Sequence, residues 1–158
     1  MPISLIRHVE SEYNKTCIYV RNCNITEKAK EDASKITGHY NIILQSPLKR
    51  CEQTLYYSKL TYDKLIILDI IREHKLAECD FMEDENKIIE EECEVLDRVE
   101  QFKKYLKELA EDQEILVITH GDFVWYLTSK VINGERFGTW LNNGELLKFN
   151  SPDDFLVI

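Results

Sequence analysis

Apolar residues fall along this chain in two alternating rhythms. Strand-length apolar runs at residues 3–6, 41–45, 64–70 and 114–119 alternate with longer stretches whose apolar positions recur at helical intervals. Residues 3–6 read as a buried strand between Pro2 and the charged pair Arg7-His8. Thr26 is a natural N-cap with Glu27 in the first turn, and Gly38 is a natural stop for the helix between them. The strand at 41–45 ends at Ser46-Pro47, and proline at a first helical position favours a helix through about residue 60. Residues 87–111 predict the longest helix, where Ile88, Val95, Val99, Phe102, Leu106 and Leu109 repeat at helical spacing. A helix over 122–131 follows the strand at 114–119. Residues 146–149 and 155–158 read as two last strands, the first paired antiparallel at an edge.

Strands alternating with helices predict an α/β fold: a three-layer sandwich, with a mostly parallel central sheet and helices on both faces. At 158 residues, with no internal repeat and no low-complexity linker, residues 1–158 read as one domain. In such sheets ligands bind beyond the carboxyl ends of the strands. The residues just past those ends are Arg7-His8, Ser46 to Arg50, Arg72-Glu73 and His120-Gly121, a set suited to handling phosphate.

Composition narrows the classes further. With 44% hydrophobic and 31% charged residues, this is a globular composition and not a disordered one. Lys and Arg number 20 against 29 Asp and Glu, a net charge of -9, and the basic residues are scattered among carboxylates. Nucleic-acid binding and docking on anionic membranes both need a basic stripe, so neither is expected. The apolar runs are too short to span a bilayer and no secretory signal is visible, which predicts a cytoplasmic protein. Cys17, Cys23, Cys51, Cys79 and Cys93 form an odd set without a Cys-x-x-Cys pair. They read as reduced thiols rather than disulfide or zinc ligands, with a redox sensor as the alternative role for one.

Each rim residue has a chemical reading beside an ordinary one. His8, directly after a strand, can attack phosphorus as a neutral imidazole, or be a satisfied strand-end residue. Arg7 can bind phosphoryl oxygens through its two-pronged guanidinium, or form a surface ion pair. Arg50 lies near a predicted helix start, where an anion would meet both guanidinium and backbone N–H groups, or it forms an ion pair. His120, if protonated, can hold a phosphoryl oxygen as charge builds there. Glu73 is the candidate general acid for a departing alcohol, or else a loop carboxylate.

In this order, the motifs resemble those of the histidine phosphatase superfamily, also called the phosphoglycerate-mutase-like family. Arg7-His8-Val9-Glu10 resembles its Arg-His-Gly-Glu signature, which implies a phosphate-binding Arg7 and a nucleophilic His8. Ser11 and Asn14 continue the match, Asn14 at the offset of a phosphate-contacting residue, and Ile25-Thr26 is similar to the Leu-Thr that opens the family's first helix. Ser46-Pro47-Leu48-Lys49-Arg50-Cys51-Glu52-Gln53-Thr54 resembles Ser-Pro-Leu-x-Arg-Ala-x-Gln-Thr and implies that Arg50 is the second phosphate-binding arginine. Glu73 falls where the branch with a carboxylic acid carries it, and Val117-Ile118-Thr119-His120-Gly121 resembles the closing Val-x-Ser-His-Gly. Asn143 and Glu145 loosely fit the Asn-rich strand near the family's C-terminus.

Three departures stand out. Val9 replaces the glycine after the nucleophile, so the backbone there must be extended or the loop altered. Cys51 replaces a small alanine. After Glu73, His74-Lys75-Leu76-Ala77-Glu78 replaces a glycine and aromatic patch, which makes Glu78 the runner-up acid.

Lys15 and Arg21 are candidates for holding a second anionic group of the substrate, or are idle surface cations. Glu10 either steadies the phosphate loop or takes part in the chemistry. The acidic stretch Glu78, Asp80, Glu83, Asp84 and Glu85 is either a solvated loop or a lid that would repel a polyanion, which argues against a mutase. The resemblance therefore implies a metal-independent phosphomonoester hydrolase without cofactor, working through phosphohistidine on a small phosphorylated metabolite. A protein phosphohistidine phosphatase, a phosphoglycerate-type mutase and a phospho-ligand binding module are the alternatives.

Overall fold

A computed structural model describes residues 1–18, 20–109 and 111–155. Its five-stranded sheet is built from β1 (Ile3–Arg7), β2 (Thr37–Gln45), β3 (Lys59–Ile67), β4 (Ile115–Thr119) and β7 (Leu146–Phe149), in the order β3-β2-β4-β1-β7. β1, β2, β3 and β4 pair in parallel, and β7 runs antiparallel to β1 at the edge, as the hydrophobic pattern predicts.

Side-chain alternation along the strands divides the core between two faces. Ile3, Leu5, Ile42, Leu44, Ile115 and Val117 point to one face and meet α4 (Glu92–Lys107) and α5 (Gly121–Leu127) through Val95, Val99, Phe102, Phe123 and Leu127. Ile6, Ile43, Leu116 and Ile118 point to the other, against α3 (Lys49–Tyr57) through Cys51 and Leu55. α2 (Glu27–Ser34) closes that layer with Ala29 and Ala33 beside Val9 and Ile25. Phe102 and Phe123 meet edge to face at 5.8 Å, and each such fully buried ring is worth roughly 2–3 kcal/mol. The layers are those predicted.

Several boundaries differ from the sequence pattern. The α2 helix ends at Ser34 with Lys35 as its C-cap, and Gly38 lies inside β2 at φ +136°, so the glycine serves the strand rather than a helix stop. β2 and β3 both begin earlier than the apolar runs because their first residues form an exposed parallel ribbon, Thr37 beside Lys59. Helix α4 is shorter than 87–111, with Ile88 exposed before it, and the Glu94 carboxylate accepts from the Glu91 N–H at its start. Helix α5 ends at Leu127, and the hairpin of β5 (Lys130–Ile132) and β6 (Glu135–Phe137) takes up the rest of the segment expected to be helical. Ser11 caps a short α1 (Glu12–Thr16) that the hydrophobic pattern does not show. Of the strand expected at 155–158, only Phe155 is described. It follows a 3-10 turn and packs on Phe149 at 5.1 Å, while residues 156–158 lie outside the described residues. Among the described residues no helix is long and apolar enough to cross a membrane, and the five cysteines are free thiols.

Candidate active site

Strand register brings the first two site residues together. Arg7 ends β1 level with Thr119 at the end of β4, so His8 and His120, each one residue further on, stand side by side with ring centroids 5.2 Å apart. On the other side of β4, Gln45 pairs with Ile118, which sets Ser46 against His120 with Oγ 2.8 Å from Nε2.

His8 is buried, and its two ring nitrogens have partners of opposite kind. Nδ1 lies 2.7 Å from the Val9 carbonyl, which can only accept, so Nδ1 carries the proton. The Nε2 atom accepts from Arg50 Nε at 3.3 Å, so it holds the lone pair. Burial first, then the Arg50 charge, keep the ring well below the ordinary histidine pKa and therefore neutral. That is the form a nucleophile needs. Val9 is buried at a φ outside the left-handed region, with its N–H on Thr54 Oγ1 at 3.1 Å, so the β-branched residue is not forced into a conformation that only glycine adopts readily. Gly144, at φ +75°, lets the chain fold back so that its N–H reaches the Arg7 carbonyl, and its missing Cβ faces Val9.

Two arginines flank the imidazole. Arg7 lies over the Trp140 ring at 4.9 Å and donates from Nη1 to the Leu141 carbonyl, while its buried Nε has no hydrogen-bond partner. Arg50 is buried and heavily engaged: Nη1 donates to the Cys79 carbonyl at 2.7 Å and Nη2 to Asp80 Oδ1 at 3.0 Å. The other carboxylate oxygen of Asp80 accepts from the N–H groups of Leu76 and Ala77. Asn14 is held through its Oδ1 by Ser11 and by Asn143, whose Nδ2 also reaches the His8 carbonyl, which leaves the Asn14 amide donor for the pocket. His120 has a buried, unpartnered Nδ1, and burial with the Arg50 charge lowers its pKa well below the usual value. It is a neutral donor rather than the imidazolium considered from sequence.

Glu73 sits at the start of α5. Its carboxylate accepts from the N–H groups of Asp122, Phe123 and His74. Burial, reinforced by Asp122 and Asp80, pushes its pKa up to about 8, so the carboxyl carries a proton at neutral pH. Arg98 on α4 fixes the backbone that carries it, donating to the carbonyls of Ile70, Arg72 and Glu73 while pairing with Glu90.

A pocket of about 310 Å³ collects Arg7, His8, Asn14, Arg50 and Glu73, together with Asp80 and Asp122. Other candidates stand apart from it. Lys15 is exposed outside the pocket lining. Arg21 is committed elsewhere, pairing with Glu78 and donating to the carbonyls of Met82 and Glu85. Glu78 is shared between Arg21 and Lys87, off the pocket wall. Glu10 accepts from the Thr26 hydroxyl. Most of the acidic stretch is paired: Asp80 with Arg50, Glu83 with Lys49, and Glu85 with Arg72 at 2.6 Å, while Glu83 and Asp84 stay exposed to solvent. Sequence reasoning missed Asp80 as the partner of Arg50, and also Arg98, Asp122 and Trp140. Arg98 had one visible sign, a cation one residue from the core position Val99.

A neutral imidazole, two arginines, a second imidazole and a protonated carboxyl beyond the carboxyl ends of a parallel sheet have the chemistry that phosphoryl transfer needs. Residues 3–94 match the family model of the histidine phosphatase superfamily (branch 1). The chain belongs to that superfamily and is a phosphatase by class. Among solved structures it is similar to a putative alpha-ribazole-5'-P phosphatase from Escherichia coli, at 18% identity and TM-score 0.63 over 90% of this chain and 97% of that one. It is also similar to a phosphoglycerate mutase from Thermus thermophilus, at 16% identity and TM-score 0.64 over 96% and 94%. The protein histidine phosphatase SixA, complexed with tungstate, aligns at 16% identity and TM-score 0.54 over 94% and 86%. At these identities the likeness is one of fold. No curated protein sequence matches the chain.

Proposed function

We propose that this protein is a phosphomonoester hydrolase that transfers the phosphoryl group to His8 and then to water, acting in the cytoplasm on a small phosphorylated metabolite. The observation that carries this reading is the His8 tautomer: Nδ1–H on the Val9 carbonyl and the Nε2 lone pair turned to Arg50. Nε2 attacks phosphorus and the ester P–O bond breaks as Glu73 gives its proton to the leaving oxygen. Arg7, Arg50, Asn14 and His120 bear the phosphoryl oxygens. Glu73, now a carboxylate, takes a proton from the water that attacks the phosphohistidine, and the P–N bond breaks to return neutral His8 and phosphate. The protonated Glu73 favours an ester over a phosphohistidine protein, because an imidazole leaves with less help from an acid. Asp122 on the pocket wall, a carboxylate without an ion pair among the described residues, weighs against the bisphosphate of a mutase.

Phosphate release from aryl and alkyl esters tests the reading, with His8→Ala as control. Turnover is expected in the wild type, unchanged by EDTA because every step uses side chains, and lost in a folded His8→Ala variant. Wild-type rates in His8→Ala would overturn the assignment.

A further inference from the structure

The phosphate pocket does not end at Glu73. Leu76, Asp122 and Trp140 form one of its edges and also line an adjoining cleft of about 390 Å³, completed by His74, Trp125 and Tyr126. A group leaving from phosphorus next to Glu73 has this cleft as its neighbour. We propose that the cleft is the leaving-group subsite, and that it takes a flat aromatic alcohol bearing a positive charge or an N–H donor; this rests on the phosphomonoesterase reading.

Shape and charge both support that choice. Trp125 and Tyr126 stand edge to face at 5.1 Å, and Tyr126 meets His74 in the same way at 5.5 Å, so the far wall is a set of braced rings. Trp140 is 51% exposed and Leu76 47% exposed, which leaves apolar surface open at the join between pocket and cleft. Gly121 permits this placement, since a Cβ there would come within 2.8 Å of Trp140. No lysine or arginine lines the cleft, and its one carboxylate, Asp122, accepts no side-chain hydrogen bond and makes no ion pair among the described residues. Of the basic groups that act on it, Arg7 belongs to the phosphate and His74 stands on the cleft wall. A second anion on the substrate would face Asp122 without a counter-charge, on a protein whose net charge is already -9. A sugar would need several hydrogen-bonding groups where this wall offers rings.

The test uses phenyl phosphates carrying an aminomethyl, a methyl or a carboxylate group at the para position, with glycerol phosphate as a small reference. At about pH 6 and low salt, the aminomethyl ester should exceed the carboxylate ester in kcat/KM by about 10-fold, since a partly exposed pair and a cation over rings each add a several-fold factor. Asp122→Asn should lower that ratio to about 3-fold, the part that the rings supply. Trp125→Leu should lower kcat/KM for the aryl esters about 5-fold while glycerol phosphate is hydrolysed as before. Equal rates on the aryl esters, or preference for the carboxylate, overturn the subsite and leave the phosphatase reading standing. If no ester is hydrolysed, that reading fails, and binding decides the subsite alone. The chain's two tryptophans, Trp125 and Trp140, both line the cleft, so their fluorescence reports occupancy directly. Quenching strongest with the aminomethyl compound sustains the proposal, and no difference among the compounds overturns it.

Discussion

Glu73 carries the most exposed commitment of the mechanism, because its proton must be present in the first step. Burial and the neighbouring Asp122 and Asp80 push its pKa up to about 8, against a usual carboxyl value of about 4.3. The acid-competent form is therefore complete at neutral pH and is lost above it. For an alkyl ester, kcat should hold level through about pH 7 and then fall about tenfold per unit, to roughly a tenth of the plateau near pH 9. His8 adds no limb in this range, since its lowered pKa keeps it neutral throughout. A nitrophenyl ester, whose leaving group needs no proton, should show a much shallower fall. Glu73→Gln should slow the alkyl ester strongly and remove its alkaline limb. The same proton has a consequence for folding. Between the unfolded and folded pKa values the native state binds the proton and the unfolded state does not, so this group's contribution to stability falls as pH rises through about 4.5 to 8. Urea midpoints measured across that window should drop in the wild type and drop less in Glu73→Gln. An alkaline limb that persists unchanged in Glu73→Gln, or one equally steep for both esters, would refute the assignment.

Two further variants probe what holds the site. Asp80→Ala leaves the buried Arg50 cation and two backbone N–H groups without their acceptor. It should cost about 3–5 kcal/mol in thermal or urea denaturation, partly recovered by added inorganic phosphate, whereas unchanged stability would remove Asp80 from the role of counter-ion. Arg98→Met removes the donors to the carbonyls of Ile70, Arg72 and Glu73. Beyond a stability loss of about 3 kcal/mol, it should displace the alkaline limb set by Glu73; an unmoved limb would reduce Arg98 to a structural role.

The parts of this molecule legible in the sequence are those written in consecutive residues. Apolar runs and helical spacing mark β1, β4, β7 and α4, because burial on a sheet face or helix stripe repeats with a fixed period. The exposed ribbon where β2 and β3 begin has no such signature, since it is exposed rather than buried. The same division runs through the site. Arg7, His8, Arg50, Glu73 and His120 announce themselves because each follows a strand or opens a helix. Asp80 looked like one acid in an acidic stretch, and only the folded loop shows each paired carboxylate beside its own cation. Asp122 and Trp140 have no local pattern at all. Their meaning comes from the return of the chain into β7, which brings Trp140 back over Arg7.

Charge balance explains why the acids and bases of this site occur together. Two guanidinium groups beside a neutral imidazole repel one another, and burying Arg50 without a counter-charge would cost several kcal/mol. Asp80 meets that need through Arg50 Nη2, and the Cys79 carbonyl takes Nη1, so Nε is the Arg50 donor that faces His8. Arg7 makes the opposite choice: it has no carboxylate partner, rests on an aromatic face and keeps Nε unsatisfied. On the proposed reading, a phosphoryl group between them would meet one arginine oriented by a carboxylate and one held by an aromatic face and a single carbonyl. The Glu73 proton follows from burial first and then from the same balance, because its carboxyl shares the pocket with Asp122 and Asp80.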